Sequence, residues 1–485
     1  MLALINTNRM RPAIAPIGLD YVAGAARAAG IETHLLDLGL APDPDAALEV
    51  FFRAHRPALV GLSLRNADDS FWPSAASFVE PLRDTVRALR RLTEAPLVLG
   101  GAGFSIFPRE ILEFTGADCG IRGDGEAALP ALYRALEQGE SPGAVPGLVT
   151  AHGLNPPAWG GDGPLRVPAE RDTVDNAAYF RLGGQIGLET KRGCPLACDF
   201  CADPIAKGAR ARCRPPEDTA DEAEALIRQG VDVLHLCDGE FNVPVEHARA
   251  VCEEWIRRGL GERLRWYAYL AVAPFDADLA RAMRQAGCVG INFTGPAATP
   301  IMLRAYGVRH RVEDLAAAVR AARAAGITTM VDLMLGGPGE MPATVRQAID
   351  FLRILKPDCV GAALGVRMYP GLPLTRRIAA EGPMETNPAI RRKYDGPVNL
   401  MWPTFYIANA LGRRPAALVR DIIAGDPRFF EPPPDEDTAT KSYNYNDNEP
   451  LVRALAAGAR GAYWDILRKQ RETGIPRGSP EARPP

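Results

Sequence analysis

The sequence predicts an α/β protein with a doubly wound parallel sheet, then a parallel β/α barrel, complete or partial, and then a mixed C-terminal region. Strand patterns alternate with helical patterns through most of the 485 residues. A stretch rich in Gly, Pro and Asp interrupts this alternation, and the chain is too long for one ordinary core. We therefore expect domains at 1–140, 184–375 and 376–485, with a linker at 141–183.

The first domain is expected to hold five strands. They are Leu2–Asn6, Glu32–Leu36, Ala58–Ser63, Pro96–Leu99 and Asp118–Arg122. Helical patterns such as Gly18–Ala29 and Pro81–Leu92 lie between them. This alternation predicts a parallel sheet, whose ligands bind at the carboxyl ends of the strands.

The second domain repeats the same unit about six times. Its expected strands are Gly187–Thr190, Val233–Leu236, Trp266–Leu270, Gly290–Phe293, Thr328–Leu333 and Gly361–Val366. Repeated β/α units of this kind predict a barrel or part of one. The C-terminal region carries aromatic segments at 400–406 and 442–446, which either line a substrate cleft or pack onto the barrel.

Bulk composition favours a cytoplasmic protein. The net charge of −3 and the pI near 6.2 give no general attraction to nucleic acid or to anionic membranes. The first residues lack the features of a signal peptide, and no apolar run reaches the roughly 18–20 residues that span a bilayer. We expect no nucleic-acid partner and no membrane partner.

The nine cysteines fall into two groups. An odd number without an export signal argues against a disulfide framework. Six have apolar or helical surroundings that indicate buried packing: Cys119, Cys213, Cys237, Cys252, Cys288 and Cys359. The other three, Cys194, Cys198 and Cys201, lie within eight residues directly after a predicted strand.

Three clustered thiols restrict the metal that such a loop can hold. Structural zinc needs four closed ligands, but His235 is single and Cys213 lies twelve residues beyond Cys201. An iron–sulfur cluster normally takes four cysteines, so three leave one iron of a [4Fe–4S] cluster open to an external ligand. Zinc, or a cluster used only for electron transfer, stays as the alternative.

Three loops of the first domain carry unusual residues at predicted strand ends. They are Arg65–Asp69, Gly100–Ser105 and Gly123–Glu126. Glycine lets the backbone approach a ligand closely, although any one of these loops alone is more simply explained as an ordinary tight turn. Three such loops on one sheet edge favour a nucleotide-like or tetrapyrrole ligand.

The spacing C-x₃-C-x₂-C resembles the signature of the radical S-adenosylmethionine (SAM) superfamily, and Phe200 fits the aromatic position before the last cysteine. The resemblance implies that the open iron chelates SAM. Residues 1–375 further resemble the cobalamin-dependent radical SAM enzymes, closest to the tryptophan C2-methylase-like group of natural-product methylases. Seven segments carry this wider likeness: 16–21, 65–68, 100–103, 123–126, the cysteine loop at 194–201, 336–340 and 366–371.

The resemblance implies an N-terminal Rossmann-like B12-binding domain, a partial (β/α)₆ radical SAM barrel and specific site residues. For SAM it implies Asp238, Gly239 and Glu240 at the amino group, Asn292 at the ribose, Gly336 and Gly337 beside the adenine and methionine, and Arg367 at the carboxylate. Glu240 is also a candidate to touch the open iron. For cobalamin it implies Arg65, Asn66, Gly100, Gly101, Gly103, Ser105, Gly123 and Glu126.

One departure from the family concerns the ligand of cobalt. The loop at 6–18 has no histidine in the position that supplies a lower cobalt ligand in many B12 proteins. We therefore expect base-off cobalamin without a protein histidine, with Arg65 near its lower face. A cation there would disfavour a lower ligand. The alternative is a domain that is shaped for B12 but empty.

The expected function is methyl transfer from SAM through cobalamin to an unreactive carbon or phosphorus of a small metabolite or amino acid. The expected partners are that small substrate and an external electron donor such as flavodoxin or ferredoxin. One alternative is a radical SAM enzyme that abstracts hydrogen, or transfers the aminocarboxypropyl group of SAM, without methylation. A non-enzymatic metal-binding or electron-carrying module is the other.

Overall fold

The computed structural model describes residues 1–157, 159, 164–435, 437 and 439–472. Within them the chain forms two seven-stranded sheets, each built on parallel strands, and two small antiparallel sheets. The predicted α/β class, with a doubly wound domain ahead of a barrel domain, is confirmed. Among the described helices, none is long and apolar enough to cross a membrane.

The first sheet contains the five predicted strands. They are Leu2–Asn6 (β1), Thr33–Asp37 (β2), Leu59–Ser63 (β3), Leu97–Gly100 (β4) and Cys119–Ile121 (β5). Their order is β2-β1-β3-β4-β5 and all are parallel. Leu148–Thr150 (β6) and Gly153–Leu154 (β7) then continue the sheet in antiparallel fashion. Part of 141–183, expected as a linker, thus pairs with the first sheet.

Helices cover both faces of this sheet, as a doubly wound sheet requires. They are Ile17–Ala28 (α1), Pro44–Ala54 (α2), Val79–Arg90 (α3), Ala102–Ile106 (α4), Pro108–Thr115 (α5) and Gly125–Glu137 (α6). Apolar residues of α1 and α6 form the core on one face, and those of α2, α3 and α5 form the core on the other. The amphipathic repeat of α3, with Leu82, Val86 and Leu89 buried, shows why such a segment becomes a covering helix.

The second large sheet is an open barrel. Its strands are Ile186–Leu188 (β8), Val233–Leu236 (β11), Arg265–Leu270 (β12), Cys288–Phe293 (β13), Thr328–Leu335 (β14), Cys359–Leu364 (β15) and Phe429–Phe430 (β19). All seven are parallel, in the order β8-β11-β12-β13-β14-β15-β19. Strands β8 and β19 are the two edges, so the barrel is partial. Six of these strands are the predicted ones, and the two-residue β19 was not anticipated.

Short strands and helices complete the described chain. The short strands are Lys191–Arg192 (β9), Arg212–Cys213 (β10), Val366–Arg367 (β16), Ile390–Arg392 (β17) and Thr404–Tyr406 (β18). The remaining helices are Asn176–Gly183 (α7), Asp203–Lys207 (α8), Pro216–Arg228 (α9), Val245–Arg257 (α10), Ala277–Gln285 (α11), Pro300–Ala305 (α12), Val312–Ala324 (α13), Pro342–Leu355 (α14), Pro373–Ala380 (α15), Pro415–Ile423 (α16), Glu449–Ala456 (α17) and Tyr463–Glu472 (α18).

The C-terminal region closes the amino-terminal end of the barrel. Trp464 of α18 stacks edge-on against Tyr267 of β12, with ring centroids 5.9 Å apart. The Tyr267 hydroxyl donates a hydrogen bond to Asp465 at 2.9 Å. Tyr443 packs in the same buried cluster with Met330 and Phe430. The barrel is therefore accessible to ligands from its carboxyl end, which faces the first domain.

A buried ion network joins the two domains. Arg171 pairs with Asp20 of α1 at 2.7 Å and with Glu222 of α9 at 2.6 Å. Arg214 pairs with the second oxygen of Glu222, and the Tyr21 hydroxyl donates to Glu222 at 2.8 Å. These charged side chains are at most 1% exposed. Because each buried charge has a partner of opposite sign, the domains can meet here without an isolated charge.

Removing one charge from this network should destabilise the protein strongly. Arg171→Met leaves Asp20 without its ionic partner, and we expect a loss of about 3–5 kcal/mol in the free energy of unfolding. The control is Arg166→Met, which breaks an exposed pair with Asp218 (3.1 Å) and should cost at most about 1 kcal/mol. Urea unfolding monitored by tryptophan fluorescence measures both. Equal losses in the two variants would contradict this account.

Candidate active site

The carboxyl ends of the two sheets face one another across a cavity of about 500 Å³. Both domains line it. The first domain contributes, among others, Asn6, Gly18, Ser63, Arg65, Asn66, Gly100, Gly101, Ser105, Gly123, Asp124 and Glu126, and the barrel side contributes Glu189, Arg192, Asp203, His235, Cys237, Asp238, Gly239, Tyr269 and Thr294. Both parallel sheets thus present their ligand-binding edges to one shared space.

The wall from the first domain is built by closely packed loops. An added Cβ at Gly101 would lie 2.4 Å from the Leu64 carbonyl oxygen, and Gly101 has a φ of +100°. One at Gly103 would lie 2.5 Å from the Asn66 carbonyl carbon. One at Gly100 would meet nothing within 4 Å. Gly101 and Gly103 therefore hold two loops together, while Gly100 leaves open space along the cavity.

Polar side chains complete this wall. The Ser105 hydroxyl accepts from the Gly123 N–H and donates to the Gly101 carbonyl, both at 3.0 Å, which links two of the predicted loops. Arg65 donates to the Asn66 side chain at 3.0 Å. Burial lowers the pKa of His235 on the barrel side, and the positive charge of Arg65 across the cavity lowers it further.

The cysteine loop follows β9 and is fixed at several points. The Cys194 N–H donates to the Gly208 carbonyl at 3.1 Å, and the Cys201 N–H donates to the Cys198 carbonyl at 3.3 Å. Cys194 is 6% exposed, and Cys198 and Cys201 are partly buried. Burial raises the pKa of all three thiols, that of Cys198 to about 11. A free thiol here is thus protonated at neutral pH.

Loop 238–240 lies directly against the cysteine loop. An added Cβ at Gly239 would lie 3.6 Å from the Cys194 Cβ and 2.9 Å from an Asp203 carboxylate oxygen. Glu240 accepts from the Thr294 hydroxyl at 2.6 Å, and its Oε2 is buried without a partner. Burial raises the pKa of Glu240 to about 8. This carboxyl therefore lies beside the cysteines with one oxygen uncommitted.

Phe200 connects the cysteine loop to the glycine loop after β14. Its ring stacks edge-on against Tyr306, with centroids 5.5 Å apart. The Tyr306 hydroxyl donates to the Met334 carbonyl at 2.6 Å. An added Cβ at Gly337 would lie 2.4 Å from the Tyr306 hydroxyl oxygen. Gly336 has a φ of +91°. Phe200 and Gly337, both implied by the family resemblance, thus meet at Tyr306, a residue that no sequence motif indicated.

Comparison with known proteins agrees with this arrangement. A radical SAM superfamily model matches residues 188–352, and a B12-binding domain model matches residues 5–133. The chain is 32% identical over 446 residues to tryptophan 2-C-methyltransferase from Streptomyces laurentii, covering 78% of this chain and 74% of that protein. The chain belongs to the cobalamin-dependent radical SAM methyltransferases.

Solved structures extend this likeness to the whole fold. The methyltransferase TsrM from Kitasatospora setae, solved with tryptophan substrate and a SAM analogue bound, superposes with a TM-score of 0.90 at 30% identity, over 97% of this chain and 98% of that one. A second TsrM structure, with cobalamin and a [4Fe–4S] cluster bound, has a TM-score of 0.86 at 30% identity, over 98% of this chain and 99% of that one. The cobalamin-dependent enzyme OxsB shares the fold at 15% identity, with a TM-score of 0.66 over 84% of this chain and 64% of that one.

Within this methyltransferase, two residues predicted to touch SAM are committed to other contacts. Arg367 forms an ion pair with Asp68 of the first domain at 2.8 Å and also donates to the carbonyls of Met368 and Leu400. Asp238 accepts from the Thr190 N–H at 2.8 Å and from the Thr190 hydroxyl at 2.5 Å. Both side chains therefore make contacts within the protein, and their expected contacts with the SAM carboxylate and amine stay predictions.

Glu126 is a third such case. The family resemblance places Glu126 at cobalamin, and in the structure its carboxylate pairs with Arg192 of β9, just before the cysteine loop, at 2.9 Å. Arg192 also pairs with Asp124 at 3.0 Å and with Glu189 at 2.9 Å. Glu126 still lines the cavity, but its charge is neutralised by the other domain. Its main contact is thus an interdomain ion pair.

Four functional candidates were missed from the sequence: Lys191, His235, Tyr269 and Asp332. Lys191 is 1% exposed, and its Nζ is buried without a hydrogen-bond partner. His235 lines the cavity with Nδ1 unpartnered, and burial lowers its pKa to about 4. Two sequence features could have indicated these residues. Lys191 lies three residues before Cys194, and His235, Tyr269 and Asp332 are polar residues within barrel strands.

The glycine geometry makes a paired prediction. Gly101→Ala should destabilise the fold by about 1–3 kcal/mol or more, because alanine is strained at this φ and would overlap the Leu64 carbonyl. Gly100→Ala should change the unfolding free energy by less than about 1 kcal/mol, because its Cβ would enter open space. Thermal unfolding of the two variants distinguishes them. A Gly100→Ala loss as large as that of Gly101→Ala would contradict this assignment.

Proposed function

We propose that this enzyme transfers the methyl group of SAM through cobalamin to an unactivated carbon of a small aromatic amino acid or a related metabolite. The observation that carries the proposal is the cavity that the glycine loops of the first domain share with Arg192, Asp203 and Gly239, which flank or contact the cysteine loop. The tryptophan bound in the related TsrM structure supports this substrate class. A phosphorus acceptor has no such support.

We assign Cys194, Cys198 and Cys201 to a [4Fe–4S] cluster. No three His, Cys, Asp or Glu side chains in the described ranges converge on a single metal ion. A cluster has no need of such convergence, because each thiolate binds its own iron. Since burial raises the pKa of these thiols, binding the cluster must release their protons.

Two unpartnered buried groups beside the loop fit the two charges of SAM. We assign the Glu240 carboxylate to the SAM ammonium and the Lys191 ammonium to the SAM carboxylate, in place of Asp238 and Arg367. Each group would then gain the partner it lacks, which removes a penalty of about 1–3 kcal/mol per buried group. Gly239, Gly336, Gly337 and Phe200 would shape the space around them.

The first-domain wall fits cobalamin. Gly18 and Gly100 leave open space along the cavity, and Arg65, Asn66 and Ser105 supply polar groups. Among the described lining residues the one histidine is His235, which comes from the barrel. We therefore propose that cobalamin binds base-off without a histidine from its own domain. When bound, it would accept the methyl group of SAM and deliver it to the substrate.

Two further features belong to this proposal. Reduction of the [4Fe–4S] cluster would need an external one-electron donor, and we propose one of the flavodoxin or ferredoxin kind. None of the nine cysteines, all of which lie in the described ranges, forms a disulfide bond, which suits a reducing compartment such as the cytoplasm.

The SAM by-product tests methyl transfer against the alternative radical SAM reactions. Enzyme reconstituted anaerobically with iron, sulfide and hydroxocobalamin is incubated with SAM, a reductant and tryptophan. We expect S-adenosylhomocysteine. 5′-Deoxyadenosine alone would indicate hydrogen abstraction, and methylthioadenosine would indicate aminocarboxypropyl transfer; either result would overturn the proposal.

The cluster assignment predicts a specific pattern of iron loss. Cys201→Ser should reduce bound iron from about four to below one per chain, because one of only three thiolates is lost. Cys213→Ser changes a nearby partly buried thiol on β10, outside the loop, and should retain about four irons. Iron counting and the absorption spectrum measure both. Equal iron loss in the two variants would refute the assignment.

A further inference from the structure

The outer side of the cysteine loop is a surface that methyl transfer in the cavity does not use. Pro195 and Ala197 lie between the first two cysteines of the loop and are exposed, and neither of them lines the interdomain cavity. Cys198, which follows them, is itself partly accessible. A cluster bound by this loop would therefore lie close to the protein surface on this side.

Two helices hold this side of the loop in place. The Asp199 N–H donates to the carbonyl of Tyr306, just beyond the end of α12, at 2.9 Å. The Asp199 carbonyl accepts from the Leu374 N–H of α15 at 3.1 Å. Arg377 of α15 pairs with the Asp199 carboxylate at 2.5 Å and also donates to the Ala305 carbonyl of α12. The cysteine loop, α12 and α15 therefore form one continuous surface.

This surface carries an excess of positive charge. Segments 300–311 and 372–381 contain five arginines and a single carboxylate, although the net charge of the whole chain is −3. Arg304, Arg309 and Arg376 are exposed, and among the described residues none of these three forms an ion pair. Arginines that balance no carboxylate of their own protein are available to an acidic partner.

Exposed apolar side chains lie among these cations. Ile301 is 43% exposed and shares the outward side of α12 with Arg304, which lies three residues further along. Pro195 and Ala197 add exposed apolar area beside the cysteines. Protein interfaces combine an apolar centre with a polar rim and are enriched in arginine. The composition of this surface is therefore that of a docking site for another protein.

We propose that this surface docks an acidic flavoprotein electron carrier of the flavodoxin kind. The surface, called the arginine face below, comprises Pro195, Ala197, Ile301, Arg304, Arg309 and Arg376. A flavin fits it because the apolar edge of the flavin ring can meet the apolar residues beside the cysteines, while carboxylates around that edge meet the arginines. The inference rests on the proposed function, because the cluster is the electron acceptor.

One electron moves in the docked complex. The anionic flavin hydroquinone of the carrier loses it and becomes the neutral semiquinone, and the cluster passes from [4Fe–4S]²⁺ to [4Fe–4S]⁺. No proton needs to cross the interface. Because the arginine face lies outside the interdomain cavity, a docked carrier leaves the space for SAM, cobalamin and substrate free. The enzyme can therefore be reduced with its other ligands bound.

Binding of a bacterial flavodoxin to the reconstituted enzyme tests the proposal. The arginine-face variant combines Arg304→Glu, Arg309→Glu and Arg376→Glu. At an ionic strength of about 0.05 M, where exposed charges are weakly screened, it should bind flavodoxin roughly tenfold or more weakly than the wild type. Added salt should weaken wild-type binding and reduce this difference.

A matched control reverses three other exposed arginines without ion pairs among the described residues. They lie on α9, α11 and α13, away from the cysteine loop, and the changes are Arg228→Glu, Arg284→Glu and Arg320→Glu. This control changes the net charge of the chain by the same amount. It should bind flavodoxin as the wild type does, because docking depends on where the charges lie.

Stopped-flow measurement of cluster bleaching distinguishes docking from a damaged cluster. Reduced flavodoxin should bleach the cluster roughly tenfold or more slowly in the arginine-face variant than in the wild type or the control. Photoreduced 5-deazariboflavin, a small uncharged reductant, needs no docking surface. It should reduce all three proteins at the same rate, and their iron content should be equal.

Two outcomes would overturn the inference. One is equal flavodoxin affinity in the arginine-face and control variants, and the other is a ferredoxin that binds the wild type more tightly than the flavodoxin does. The proposed function fails in a different way. If SAM yielded 5′-deoxyadenosine in place of S-adenosylhomocysteine, methyl transfer would be refuted, while the difference in flavodoxin affinity between the two variants would stand.

Discussion

The buried network of Asp20, Arg171, Glu222 and Arg214 is the constraint on which the active site depends. A buried pair of charges contributes little net stability, because the cost of desolvation offsets most of the attraction. It does penalise every arrangement of the two domains that would separate the charges. The network thus selects one relative orientation, in which the carboxyl ends of both sheets face the same cavity.

Two more interdomain contacts surround that cavity. Arg192 of the cysteine strand pairs with Asp124 and Glu126 of the first domain, and Arg367 pairs with Asp68. Each arginine reaches across the domain boundary to a carboxylate in a loop after a strand. The cysteine loop and the first-domain glycine loops at 100–105 and 123–126 are therefore held at a fixed distance from each other. A cofactor bound between them would find the space preformed.

The polar groups around the cavity divide into committed and uncommitted ones. Asp238, Glu126 and Arg367 have their hydrogen bonds satisfied within the protein and act as supports. Lys191, Glu240 and Asp332 are buried with an atom left unpaired. Because unpaired buried polar atoms are costly, those that persist mark positions where a ligand completes the bonding. By this criterion Lys191 and Glu240 are the positions at which we propose that SAM binds.

The sequence by itself determined the two α/β domains, the six main barrel strands, the three-cysteine loop and the glycine loops at the strand ends. These depend on local spacing, such as strand–helix alternation and C-x₃-C-x₂-C, which is visible in a linear chain. Only the tertiary structure decided which charges pair. Arg367 meets Asp68 from 299 positions away, and Arg192 meets Glu126 from 66. The short β6, β7 and β19 likewise exist through pairing with a preformed sheet. Partner choice between distant residues depends on how the domains pack, and no local pattern encodes that.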